Sequence, residues 1–189
     1  MKNEFGESGN MIWLEDLMYR ASGFFLTPVL LLLVLLFAYA CYALGAFVMQ
    51  AWQRKKTRGV YQVLIAANLV SENKQLPRGY PLVNLALELP HVSQDELDVA
   101  ALKELEGVRS VSRLAPMLGL IATMIPMGPA LKNLANGNIQ GISENLIVAF
   151  SAVIFGLVIS SVTFWIASVK KRWLAVELVD VINAIGNRQ

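Results

Sequence analysis

Three stretches of this chain are apolar for longer than a soluble helix requires, and polar or charged segments bound each of them. Residues 24–49 are centred on Val29-Leu-Leu-Leu-Leu-Val-Leu-Leu-Phe37, residues 114–134 run from Leu114 to Leu134, and residues 142–168 from Ile142 to Ser168. About 20 apolar residues, each rising 1.5 Å, cover roughly 30 Å of hydrocarbon, so each stretch predicts a membrane-spanning helix. The segment between the second and third, residues 135–141, is rich in Asn and Gly, which tolerate left-handed turn conformations, and predicts a tight transmembrane hairpin. The fold class expected is an all-α membrane protein with three transmembrane helices.

The polar segments predict helices beyond the spans. In residues 50–113, Val60, Val63, Leu64 and Ala67 recur at the spacing of one buried helical face. Two prolines and a glycine then break the pattern at residues 74–81, and a short helix is expected over residues 82–89, stopped by Pro90. Ser93 with Glu96 three residues later forms a capping box opening a new helix, whose apolar positions Leu97, Ala101, Leu105 and Val108 lead without a break into Leu114. After the third span, in residues 169–189, Leu174, Leu178, Val181, Ile182 and Ile185 predict a helix that needs a partner face, from the first polar helix of the same chain or from a neighbouring subunit. Residues 1–23 are acidic with interspersed apolar positions such as Trp13, Leu17 and Met18, and predict a short amphipathic helix at the membrane surface. Pro28 is expected in the first turn of the first span, where a missing amide is tolerated.

Charge sets the orientation. Nine of the sixteen Lys and Arg residues fall in residues 51–113 and four in residues 169–189, so these segments are expected in the cytoplasm, with the N-terminus outside and the C-terminus inside. Arg54, Lys55 and Lys56 after the first span, and Lys170, Lys171, Arg172 and Trp173 after the third, are the expected membrane-interface anchors. The same asymmetry excludes a cleaved secretory signal at Ala38-Tyr-Ala40, because a signal carries its positive charge in front of the apolar run. Of 189 residues, 56% are hydrophobic and only 16% charged, against about 25% charged in soluble domains. A net charge of +2 gives no case for nucleic acid, and lipid is the surface the basic clusters suit. The single cysteine, Cys41, permits no internal disulfide and no Cys-based metal site, and is expected as a buried small hydrophobe.

Catalysis, a cofactor and a resident metal all lack support: His91 is the only histidine and no titratable cluster gathers near it. No ionisable residue lies near the middle of any span; Glu144 is at the outer end of the third. A chain without a midplane titratable group cannot relay protons by acid–base chemistry alone, so any ion crossing here needs a carboxylate from a partner. The hairpin instead offers small residues: Ala115, Pro116, Gly119, Ala122 and Pro126 on the second span, and Ala149, Val153, Gly156 and Ser160 on the third. Close helix packing and pore lining both account for them. Thr123 has the same two readings, a hydroxyl bonded to a carbonyl of its own helix or a polar group facing a pathway. Pro126 is expected to kink its helix.

Ala115-Pro-Met-Leu-Gly-Leu-Ile-Ala-Thr123 resembles the Ala-Pro-x-x-Gly-Leu-x-Gly-Thr signature in the second span of the MotA/TolQ/ExbB proton channel family. Val148-Ala-Phe-Ser-Ala-Val-Ile-Phe-Gly-Leu157 is similar to the third-span pattern Val-Ala-Phe-x-Ala-Thr-x-x-Gly-Val of its MotA-like members. The resemblance implies a homopentamer in the cytoplasmic (inner) membrane around a dimer of single-span partners of the MotB/TolR/ExbD type. The partner's membrane Asp would bind a proton, or sodium as in some members, and ion passage would drive relative rotation. Thr123 matches the pore-facing second-span threonine. The third-span threonine falls on Val153, which leaves Ser160 and Ser151 as substitutes, Ser151 only if the helix is rotated. Ala122 stands where a glycine is usual, Pro126 replaces the glycine often found after the threonine, and Val148 replaces the glutamate of ExbB-like members. The 63-residue loop, short for a rotor-contacting member, favours a TolQ- or ExbB-like role, and the loss at Val153 keeps a non-conducting scaffold of the same fold as the alternative.

Overall fold

The computed structural model describes residues 4–67, 69, 79–89 and 92–187, and among them the chain is entirely helical. Four helices follow in order: α1 Glu4–Ala66, α2 Pro81–Glu88, α3 Gln94–Ala135 and α4 Ile139–Gly186. The three long ones are apolar enough to cross a membrane. With 42 to 63 residues each, they extend roughly 60 to 95 Å at 1.5 Å per residue, well beyond the hydrocarbon of one bilayer.

Local chemistry explains the boundaries of α3 and α4. The Ser93 amide donates to Glu96 Oε2 at 2.9 Å and the Glu96 amide to Ser93 Oγ at 3.2 Å, the expected reciprocal cap. From there α3 runs without interruption through Pro116, Pro126 and Pro129. Only three residues separate Ala135 from Ile139. Gly137 takes a left-handed φ of 71°, and Asn138 Oδ1 accepts the Gly141 amide at 3.1 Å to cap α4.

Two expectations for α1 are corrected. The helix is continuous from Glu4, with no separate surface helix before residue 24, and Pro28 lies inside it instead of in its first turn. A proline here forfeits one hydrogen bond, to the Phe24 carbonyl, and apolar helices accommodate that loss. The side chains of Ile12, Glu15, Asp16, Met18 and Arg20, on which the amphipathic pattern rested, lie outside the described residues, as do residues 74–78, Pro90 and His91.

Buried positions on the long helices are spaced by three, four or seven residues. On α4 they are Ala149, Ala152, Gly156, Ile159, Thr163 and Ile166, and on α1 Leu33, Ala40, Ala43 and Phe47. This is the seven-residue repeat by which one side of a long helix is kept covered. Cys41, next to a buried position on α1, is exposed on the chain surface, so the expectation of a buried cysteine is corrected.

Contacts divide the chain into two units, Met1–Tyr39 with Arg113–Ser160, and Ala40–Ser112 with Ser161–Gln189. In the first, α3 and α4 meet through small side chains, and α1 joins them where the Phe37 ring packs edge-on against Phe155, centroids 5.2 Å apart. In the second, α2 inserts Leu82, Val83 and Ala86 into a core with Leu64, Leu97, Leu105, Leu174 and Val181. The partner that the last helix required is therefore in the same chain: Leu178, Ile182 and Ile185 also pack on this core. The stripe expected at Val60, Val63, Leu64 and Ala67 is rotated, because Val60, Val63 and Ala67 are exposed and the covered side is Tyr61, Leu64 and Ile65. The larger side chains bury more apolar area, and Tyr61 also finds a polar partner on α4.

Candidate functional site

The hairpin of the first unit is built on a seam without bulk. Ala115, Gly119, Ala122, Pro126 and Ala130 of α3 are buried, as are Ala149, Ala152 and Gly156 of α4. A Cβ on Gly156 would lie 2.7 Å from the Ala115 carbonyl oxygen and 3.1 Å from the Gly119 Cα, so glycine is required for this approach. A Cβ on Gly119 would fall 3.4 Å from the Ala152 carbonyl oxygen, an ordinary contact.

This seam fixes which residues share a face. Successive helical residues turn by about 100°, and α3 and α4 are joined antiparallel by a short turn. Positions that follow a seam residue by one therefore project to the same side of the hairpin from both helices. Thr123 follows Ala122, Val153 follows Ala152, and Ser160 follows Ile159, so these three line one flank. Phe155 precedes Gly156 and lies on the opposite flank, the one that Phe37 of α1 covers. The Thr123 flank is thus turned away from α1.

Register separates the polar groups along that flank. Gly119 faces the stretch from Ala152 to Gly156, which puts Thr123 and Ser160 on opposite sides of this crossing, roughly 15 Å apart along the helix axes. Ser160 therefore does not replace a threonine at the level of Thr123. Ser151 precedes Ala152 and is exposed on the flank of Phe155, away from Thr123, the side its spacing from Val153 gives without a rotation of the helix. At the level of Thr123 that flank carries Phe150, which follows Ala149 and is exposed, and Val153, about one turn away, is apolar and partly covered. Thr123, also partly covered, donates its hydroxyl hydrogen to the Leu120 carbonyl at 2.6 Å. That bond leaves the oxygen lone pairs as acceptors, the group that a hydrated proton or a metal cation requires. Pro126, one turn on, offers no amide to the Ala122 carbonyl and adds a second oxygen-rich locus in an apolar helix.

The second unit holds a group that sequence reasoning missed. Glu177 is 1% exposed and pairs with the Arg54 guanidinium. Its other oxygen accepts the amides of Leu82 at 2.7 Å and Val83 at 3.1 Å, in the first turn of α2, where a helix presents unpaired donors. Arg54 also donates from Nε to the Gly79 carbonyl at 2.7 Å, and its guanidinium lies 4.5 Å from the Tyr80 ring centroid and 5.0 Å from that of Trp173. Gly79 has φ of 93°, and a Cβ there would stand 3.0 Å from the Arg54 side chain. Burial pushes the Glu177 carboxyl above the ordinary glutamate range, opposed by Arg54 and by the amides of Val83 and Leu82. Beside it Tyr61 stacks on Tyr80 and donates to Asp180 on α4; burial, then this bond, raises the Tyr61 phenol.

Of the basic and aromatic residues expected as interface anchors, Arg54 and Trp173 are thus packed inside this unit, and Lys170 pairs with Glu104 at 2.8 Å. Lys55, Lys56, Lys171 and Arg172 are exposed. Glu177 had a legible signal: it falls in the seven-residue series Ala149, Gly156, Thr163, Lys170, Glu177 and Ala184 that faces inward along α4. The same series carries Thr163, fully buried and likewise missed.

A model of the MotA/TolQ/ExbB proton channel family matches residues 88–181, which span α3, the turn and most of α4, including Thr123 and Glu177. No curated protein and no solved structure matches the chain.

Proposed function

The chain belongs to the MotA/TolQ/ExbB proton channel family and is a multi-pass membrane protein, and on that premise we propose that it is the pore-forming subunit of an ion-driven energy transducer. Five copies would surround a dimer of single-span MotB/TolR/ExbD-like partners, in the cytoplasmic membrane, with the N-terminus outside and the C-terminus inside. The observation that carries this reading is the flank of the hairpin turned away from α1, where Thr123 is the hydroxyl that the second span presents, with Ser160 of α4 roughly 15 Å away along the axes. A partner carboxylate at that level would hand its proton, or a sodium ion, past the Thr123 oxygen. The role is transport and not catalysis. The small-residue seam supports it by keeping α3 and α4 close enough for the shared flank to be narrow and rigid.

A TolQ- or ExbB-like role, in which the motion works on a partner, fits the 63-residue loop of residues 51–113 better than flagellar drive does. The second reading, a non-conducting scaffold, is favoured by Val153, which puts an apolar side chain on the same flank.

Flux separates them. In vesicles holding the chain with its single-span partner, Thr123→Val should reduce ion-dependent output by about ten- to a hundredfold, the scale for losing one or two hydrogen bonds to a moving charge, and Thr123→Ser should restore most of it. Unchanged output in Thr123→Val favours the scaffold.

A further inference from the structure

The second unit contains an open groove of about 740 Å³ between α1 and α4, and three of its charges are not spent on the fold. Lys55, Arg58 and Arg172 line it and are exposed, and among the described residues none of the three takes part in an ion pair. Of the two carboxylates that face it, Glu177 is paired with Arg54 and with two α2 amides, and Asp180 keeps its charge while accepting from the Tyr61 hydroxyl, so four cations stand against two carboxylates. The groove therefore has a net positive rim around an aromatic wall of Tyr80 and Trp173.

Its depth relative to the lipid follows from the helices that form it. The apolar stretches end near Met49 on α1 and Ser168 on α4. At 1.5 Å per residue, Arg172 stands about 6 Å and Lys55 about 9 Å past those ends, and the head-group layer extends roughly 5–8 Å past the hydrocarbon. Lys and Arg side chains span the remainder by bending towards the interface. Arg58, about 13 Å out by the same rise, closes the aqueous end.

We infer that this groove is a binding site for the phosphate head group of an anionic phospholipid, with Lys55, Arg58 and Arg172 as its ligands. One acyl chain descends beside α1 and α4. The inference rests on the spans and the groove, not on ion flux, so it stands or falls separately from the transport reading.

The test is native mass spectrometry of the full chain in mild detergent, titrated with phosphatidylglycerol or phosphatidylcholine. Phosphatidylglycerol should bind with clear preference. Each basic residue near an anionic head group contributes about fivefold, so K55Q/R58Q/R172Q should weaken it by roughly 100-fold. The control K56Q/K171Q, which removes two exposed charges outside the groove, should stay within about twofold. If the triple variant does not fold, R172Q alone carries the test, with about a fivefold loss expected. Equal losses in the groove variant and the control, or equal binding of phosphatidylcholine, overturn the site. Displacement of the lipid by excess inorganic phosphate also overturns it, since free phosphate is then the occupant.

Discussion

The two units use one repeat for opposite chemistries. Both place buried residues three and four apart along α4, yet in the first unit those positions hold Ala149, Ala152 and Gly156, and in the second Leu174, Glu177 and Val181. Within lipid there is no hydrophobic gain from hiding one apolar helix against another, so contact depends on letting backbones come close. Where helices leave the bilayer, water restores that gain, large side chains bury area, and a charge can be enclosed if every partner is supplied. The difference teaches that a seam is defined by spacing, while the residues filling it report the solvent around it.

The largest effect should come from breaking the enclosed charge. Glu177→Ala leaves Arg54 and two α2 amides without their acceptor and should cost about 3–5 kcal/mol in denaturant unfolding of the purified chain. Replacing both charges, Arg54→Met with Glu177→Met, should recover most of the loss of the Arg54 partner while leaving the α2 amides unpaired.

The first unit should answer to volume alone. Gly156→Ala drives a methyl group into the Ala115 carbonyl and should destabilise by about 1–3 kcal/mol, whereas Gly119→Ala, whose methyl meets only ordinary contacts, should stay within about 1 kcal/mol. Equal losses at the two glycines would sink the close-approach account of this seam.

How much of this was legible beforehand follows the same division. The Ser93–Glu96 cap and the left-handed turn at Gly137 rest on local chemistry and form as expected, and three helices apolar enough to cross a membrane carry the long apolar stretches. The covered side of α1 after Met49 was misread, because Val60 and Val63 satisfy the helical spacing as well as Tyr61 and Ile65 do, and only the packing partner decides. Arg54 read as an interface anchor because its acceptor is 123 residues away, a pairing that no local window can reveal. Ser151 and Ser160 were candidates to replace the hydroxyl missing at Val153, and the opposite flank separates the first, and register along the hairpin the second, from Thr123.

The smallest effect expected is at Tyr61. Tyr61→Phe removes one hydrogen bond to Asp180 and should cost about 1 kcal/mol near neutral pH. The phenol is raised in the folded chain, so its contribution is complete below the ordinary tyrosine range and is lost as pH climbs through and beyond it. Stability of the parent chain should therefore fall more steeply above about pH 10 than that of Tyr61→Phe, which pH-dependent unfolding measures.

The grip of Glu177 on α2 also imposes an order on synthesis. Arg54 and the amides of Leu82 and Val83 leave the ribosome 123, 95 and 94 residues ahead of their common acceptor. Until the last helix has been threaded into the bilayer and its end delivered, α2 lacks its N-terminal acceptor and the ion pair is unmade. Completion of the second unit is thus a late event in biogenesis, one that registers whether the final span has been inserted.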